Sequence, residues 1–118
     1  MKISVQEIGD VSIIALNNDF FKTKFMNPFV SSILQRSDKL VFDMRHVKFF
    51  DSSGCGVLLT WLKTLTDSGG DLKLCRVRKS VLTLFELLRI HRIVEIFNTP
   101  EEAVRSFYAQ PKRKEVIK

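Results

Sequence analysis

The stretch FFDSSGCGVLL, residues 49–59, reads as the point where a buried strand gives way to a helix. The apolar segment Leu40-Val41-Phe42 precedes it and supplies the strand. Asp51, Ser52 and Ser53 have short side chains that accept hydrogen bonds from the free N–H groups of a first helical turn. The glycines that follow leave backbone N–H groups unobstructed. The stretch therefore predicts a helix N-terminus that favours an anion, either bound or covalently attached.

A plain helix cap is the alternative interpretation of this stretch. For a lone serine it would prevail, because Ser is among the preferred capping residues. Here the hydroxyls are doubled, and Gly54 and Gly56 carry a conformational cost that a scaffold helix tends to avoid. We therefore interpret residues 51–54 as a functional site, with Ser53 capping the helix and Ser52 pointing outward.

The composition fits one compact domain. The chain has 118 residues, of which 45% are hydrophobic and ten are Phe, enough for a single core. No apolar run approaches the roughly 20 residues that span a bilayer, and the first residues lack the apolar region of a secretory signal. We expect a cytoplasmic protein that does not contact a membrane.

The net charge of +6 would by itself suggest a nucleic-acid partner. Residues 111–118 hold four basic residues and one Glu, so half of that charge lies in what we predict to be a disordered tail. Residues 1–110 form the domain and are only mildly basic. We therefore expect no direct contact with nucleic acid.

Hydrophobic periodicity and turn signals predict helices alternating with strands. In chain order the predicted elements are a hairpin turning at Gly9-Asp10, a helix from Asn27-Pro28, a strand over 39–43, a helix through Val57 and Leu65, a strand over 71–77, a helix over 81–89 capped by Ser80, a strand over 93–97, and a helix from the capping box Thr99-Pro100-Glu101-Glu102 to about Ala109. This order indicates an α/β domain with a mixed central sheet of about five strands and about four helices.

The basic loop Arg76-Val77-Arg78-Lys79 is expected on the side of the sheet where Ser52 lies. A right-handed crossover places the C-terminal ends of consecutive parallel strands on one edge, and the loop and Ser52 each follow such a strand. The loop would then pair with a phosphate on Ser52 or with an acidic partner. A solvated loop without a partner is the alternative.

The other reactive side chains do not suggest catalysis. Cys55 and Cys75 have no metal-binding spacing with His46 or His91, and we expect both thiols to be reduced and partly buried. A redox-sensitive Cys55 is the alternative, because a helix N-terminus lowers a thiol pKa. Trp61 is expected to be half-buried. The chain lacks both the Gly-x-Ser-x-Gly elbow of hydrolases and the Gly-Lys-Ser/Thr of nucleotide sites, so we predict no catalytic residue, no cofactor and no metal.

The junction VKFFDSSGCGVL, residues 47–58, resembles the STAS domain of the stand-alone anti-sigma factor antagonist family. The Gly69-Gly70 pair before a strand, LFEL at 84–87 and IVEIF at 93–97 add to the resemblance, which covers roughly residues 1 to 110. The Asp-Ser-Ser-Gly-x-Gly core is fairly specific between such a strand and helix. The resemblance implies that Ser52 is phosphorylated by a partner that is both an anti-sigma factor and a serine kinase.

A partner switch rather than an enzyme is what this resemblance implies. The unphosphorylated protein would bind the anti-sigma factor and free a sigma factor, and the phosphorylated protein would let go until a serine phosphatase restores it. The kinase would supply ATP and the catalytic residues, and Ser53 is the alternative acceptor. The residues expected to contact the partner are Asp51, Ser52, Ser53, Gly54, Asp19, Phe20, Phe21, Arg76 and Arg78.

Residues 18–21, which read NDFF, depart from the family pattern. Many members carry an acidic residue near the phosphoserine where this chain has Phe21, and Asp19 would replace it after a small shift. Phe20 and Phe21 would then form an exposed aromatic patch, or else cover the end of the first helix. The change is also compatible with a STAS module that binds a nucleotide or a protein ligand and is never phosphorylated.

Overall fold

The computed structural model describes residues 4–18, 32 and 37–108 of the chain. The elements in these ranges are β1 Ser4–Ile8, β2 Val11–Asn17, β3 Lys39–His46, α1 Ser52–Asp67, β4 Asp71–Cys75, α2 Lys79–Leu87, a 3₁₀ turn Ile90–Arg92, β5 Ile96–Phe97 and α3 Pro100–Tyr108. The predicted α/β class with a five-stranded sheet is confirmed. Of the predicted helix from Asn27-Pro28, only Ser32 is described, and it is helical.

The five strands form one mixed sheet in the order β1-β2-β3-β4-β5. β1 and β2 are the predicted antiparallel hairpin, whose turn holds Gly9 at a φ of +63°. The pairs β2–β3, β3–β4 and β4–β5 are parallel. The register of β2 against β3 shifts between Ala15 and Asn17, and such a bulge bends the end of a strand.

Helices cover both faces of the sheet. On one face α1 and α2 bury an apolar cluster that includes Phe42, Leu58, Trp61 and Phe85. On the other face α3 packs against a smaller cluster around Val41 and Cys75. Because β3 is covered on both sides, its residues Leu40, Val41 and Phe42 form a continuous apolar run without alternation. Trp61 is only 1% exposed, so it is a full core residue rather than the half-buried one predicted.

Several predicted element boundaries are wrong. The strand predicted over 39–43 extends to His46, and the helix predicted over 81–89 ends at Leu87. The strand predicted over 71–77 ends at Cys75, because Arg76 adopts a left-handed backbone with a φ of +52°. The strand predicted over 93–97 contains only Ile96 and Phe97, because the N–H of Val94 donates to the carbonyl of Ile90 and holds the chain in a turn. The helix predicted to be capped by Ser80 begins at Lys79, with Arg78 in the capping position and no side-chain capping bond.

The last helix is fixed to the sheet by a buried cation. Lys73 Nζ lies 2.7 Å from Ser106 Oγ, 2.9 Å from Glu95 Oε1 and 4.3 Å from the centre of the Phe107 ring. The predicted capping box at the start of α3 is confirmed, since the N–H of Glu102 donates to the Thr99 hydroxyl at 3.1 Å. These contacts hold α3 on the face of the sheet opposite α1.

Candidate functional site

Asp51 caps the helix that carries the two serines. Its backbone is extended, and its Oδ1 accepts a hydrogen bond from the N–H of Gly54 at 3.0 Å. The capping role predicted for Ser53 therefore belongs to Asp51, because its carboxylate reaches the third helical residue. Ser52 and Ser53 are the first two residues of α1, and both are exposed. Both hydroxyls lie at a helix N-terminus, where the backbone dipole favours negative charge.

Asp51→Ala is expected to lower the free energy of unfolding by about 1 kcal/mol, since it removes this cap. Asp51→Asn keeps an oxygen that accepts the same bond and should lose much less. Urea denaturation followed by circular dichroism measures both values. Equal losses in the two variants would show that the charge, rather than the hydrogen bond, stabilises the start of α1.

The two phenylalanines before Asp51 have opposite environments. Phe50 packs edge-on against Phe85, with ring centres 5.2 Å apart. A Cβ added at Gly54 would lie 3.2 Å from the Phe50 ring, so the packing of this ring explains that glycine. Phe49 is 77% exposed and projects from the surface two residues before the cap.

Asn18 holds the segment that displays Phe49. Its Oδ1 accepts hydrogen bonds from the N–H of Lys48 at 2.7 Å and from the N–H of Phe49 at 3.4 Å. Its Nδ2 donates to the carbonyl of Phe49. The sequence reasoning missed both residues, because nothing local pairs Asn18 with a segment 31 residues away.

The basic loop lies at the C-terminal edge of β3, as the crossover rule predicts. The guanidinium of Arg76 binds the buried carboxylate of Asp43 through two hydrogen bonds of 3.2 and 2.6 Å. Arg78 Nε donates to the carbonyl of Arg45 at 2.7 Å. The side-chain bonds of Arg76 thus go to Asp43, and a contact of either arginine with a phosphate or a partner stays a prediction.

The Asp43 carboxylate raises the pKa of Arg76 above its ordinary value, chiefly through their hydrogen bond. The pair lines a cavity of about 370 Å³ together with His46 and Pro100. Because Asp43 neutralises Arg76, this cavity is a poor site for a nucleotide phosphate. Ser52 and Ser53 do not line it, so the cavity and the serines are separate features.

Both cysteines are buried free thiols. Burial, reinforced by the negative charge of Asp51, raises the pKa of Cys55 above its ordinary value. Burial raises the pKa of Cys75 to about 12. Thiolate is the reactive form of cysteine, so neither thiol is activated in the folded protein.

We expect neither thiol of the native protein to react with the reagent DTNB at pH 8, and both to react once the chain is unfolded in guanidinium. The unfolded sample is the control for complete labelling. Rapid reaction of one thiol in the native protein would support the alternative in which Cys55 is a redox sensor.

Three predicted contact residues, Asp19, Phe20 and Phe21, lie outside the described residues. Within the described ranges, no three His, Cys, Asp or Glu side chains are placed to bind one metal ion. No helix in that part of the chain has the length and apolar character needed to cross a membrane.

The described residues form a small α/β domain with a mixed five-stranded sheet and helices on both faces. Its candidate site lies at a strand-to-helix junction, where a capped helix presents two exposed serines at its start. The model of the STAS domain family matches residues 2–103 of the chain. The chain belongs to the STAS domain family, which confirms the resemblance found in the sequence.

Relatives and solved structures agree with this family. A protein of Paenibacillus polymyxa named anti-sigma F factor antagonist is 24% identical over 108 residues, which cover 88% of this chain and 92% of that protein. The crystal structure of a putative anti-sigma factor antagonist from Thermotoga maritima has a TM-score of 0.74 and 23% identity, and covers 91% of this chain and 95% of its own. The phosphorylated form of SpoIIAA from Bacillus has a TM-score of 0.64 and 15% identity, covering 90% of this chain and 99% of its own.

Proposed function

We propose that this chain is an anti-sigma factor antagonist whose binding to an anti-sigma factor with serine kinase activity is controlled by phosphorylation of Ser52. The exposed hydroxyl of Ser52, in the first position of α1 directly after the Asp51 cap, carries the proposal. An acceptor serine has to enter the active site of its kinase, so it must be accessible. Family membership and the name of the Paenibacillus relative support this function.

A phosphate at this position would act through charge rather than through refolding. It adds about −1.5 to −2 charge beside the carboxylate of Asp51. The N-terminus of α1 tolerates that charge in the free protein. In a complex the same charge would be removed from water next to the carboxylate of Asp51, and such a desolvated like-charge contact costs several kcal/mol. The protein would thus keep its fold and lose its partner.

The chain in this scheme is a substrate and a binding protein, not an enzyme. The kinase supplies ATP and the reacting groups, and a serine phosphatase reverses the modification. SpoIIAA has been solved in unphosphorylated and phosphorylated forms, and it shares the fold of this chain. That precedent supports a phosphate on a STAS domain.

Mass spectrometry of the protein purified from its native host, grown with and without stress, tests the proposal. We expect a phosphate on Ser52 whose occupancy differs between the two conditions. A phosphate on Ser53, which is equally exposed, would keep the mechanism and move the acceptor. Absence of phosphate under every condition would favour a STAS module that binds its ligand without a switch.

A further inference from the structure

Gly56 has no structural cause among the residues that the structure describes. It lies in the interior of α1 and is exposed. Apart from its chain neighbours and the backbone of α1 itself, no atom of the described residues lies within 4 Å of the position that a Cβ would occupy. Its φ does not lie in the left-handed region. A glycine in a helix interior costs about 1 kcal/mol relative to alanine. The isolated domain would therefore be more stable with alanine here.

The other four glycines each have a structural explanation, and all five glycines of the chain lie in the described ranges. A Cβ at Gly54 would press on the Phe50 ring, and one at Gly70 would lie 2.2 Å from the carbonyl oxygen of Asp38. Gly9 and Gly69 have φ values of +63° and +90°, where other residues are strained. Gly56 is the exception, because no contact within the described residues accounts for it.

The exposed backbone of Gly56 lies on the same side of α1 as Ser52, the phosphate acceptor of the proposed function. Ser52, Gly56 and Leu59 follow one another at helical spacing on one exposed line of α1. Ser52 and Gly56 are about 6 Å apart along the helix axis. A kinase that transfers a phosphate to the Ser52 hydroxyl has to surround that residue, so the same partner covers the next turn.

Phe49 supplies an aromatic side chain on the other side of Ser52. Its ring is 77% exposed, while Asn18 fixes the main chain on both sides of it. Exposed aromatic residues on an ordered backbone are typical anchors of protein interfaces, because little entropy is lost when they are buried. Phe50, which packs on Phe85, is not available for this role.

We propose that Phe49, Ser52, Gly56 and Leu59 form a docking surface for the anti-sigma factor, in which the main chain of the partner packs closely against α1 at Gly56 and Phe49 fills an apolar pocket of the partner. The proposal rests on the proposed function and names the part of the interface beyond the acceptor serine. A side chain at position 56 would hold the partner away from the helix.

Gly56→Ala is the sharpest test, because stability and binding should change in opposite directions. We expect a higher melting temperature and an affinity at least about tenfold lower, which corresponds to about 1.4 kcal/mol. Calorimetric titration with each purified anti-sigma factor kinase of the same organism measures the affinity. Thr64→Ala is the control, since Thr64 is exposed two turns further along α1 and away from the line of Ser52 and Gly56.

Phe49→Ala tests the aromatic anchor, with Leu87→Ala as its matched control. Leu87 is 75% exposed, and it ends a helix that runs from the Ser52 edge of the sheet to the opposite edge. We expect Phe49→Ala to weaken binding at least about tenfold, by the conversion used above, and Leu87→Ala to leave it unchanged. Neither substitution should alter the melting temperature appreciably, because both side chains are solvated.

The outcomes separate this inference from the proposed function. If the wild-type protein binds a kinase and Gly56→Ala and Phe49→Ala bind equally well, the docking surface is refuted and the proposed function stands. If both variants bind weakly while the two controls bind as the wild type does, the surface is established. If the wild-type protein binds none of these kinases, the proposed function fails and the docking surface fails with it.

Discussion

Ser52→Asp is expected to bind the anti-sigma factor about 30-fold more weakly than the wild-type protein, a loss of roughly 2 kcal/mol. The added carboxylate would sit beside Asp51 at the centre of the interface and would be desolvated without a positive partner. Ser52→Ala removes only a hydroxyl and should bind as the wild type does. Calorimetric titration with the same purified kinase compares the three proteins.

A loss of binding by Ser52→Asp should not reflect a loss of folding. An acidic residue in the first turn of a helix stabilises it by about 0.3–1 kcal/mol, so the variant should be at least as stable as the wild type in urea. Ser53→Asp places the same charge one residue further on and serves as the positional control. The switch at Ser52 is refuted if the Asp and Ala variants bind equally well, and a loss confined to Ser53→Asp would identify Ser53 as the acceptor.

Trp61→Ala is expected to lower the free energy of unfolding by about 3–5 kcal/mol, the largest stability change that we predict. Trp61 is buried between α1 and the sheet, and its ring packs edge-on against Phe42 with centres 6.2 Å apart. Domains of this size are stable by only about 5–15 kcal/mol, so the loss removes much of the total. The chain has a single Trp, so circular dichroism rather than fluorescence should follow the urea denaturation.

Lys63→Ala on the same helix is the matched surface control. Lys63 forms an exposed ion pair with Asp67 at 3.0 Å, and such pairs contribute at most about 0.5 kcal/mol. If Trp61→Ala cost no more than Lys63→Ala, the ring would not be part of the core. The test matters for function because this packing holds the helix that presents Ser52.

Local signals in the sequence were enough to predict the secondary-structure elements that surround the candidate site. The hairpin at Gly9-Asp10, the capping box before α3 and the strand-to-helix junction at residues 49–59 each depend on neighbours within a few residues. The prediction that the middle strands are parallel also placed the basic loop at the same edge of the sheet as Ser52. Capping of α1 was assigned to Ser53 rather than Asp51, because both residue types cap helices and only the backbone geometry distinguishes them.

Contacts between residues far apart in the sequence decided the partner of Arg76 and the bounds of β4 and β5. The partner of Arg76 is Asp43, 33 residues earlier, and the end of β4 follows from the left-handed backbone at Arg76. The start of β5 depends on the turn that Ile90 closes. No periodicity in the sequence reports such pairings, so these boundaries were predicted incorrectly.

The sequence by itself determined an α/β domain with a serine at the start of a helix, because helix caps, turns and hydrophobic periods are local properties. Its resemblance to a known family indicated the STAS domain. Only the tertiary structure decided which of two adjacent phenylalanines is exposed and which of two glycines is required by the fold. Phe50 is partly buried because it packs on Phe85, and a Cβ at Gly54 would press on the Phe50 ring. Phe49 and Gly56 have no such neighbours among the described residues. The sequence does not report this difference, because burial is set by residues that the folded chain brings together from a distance.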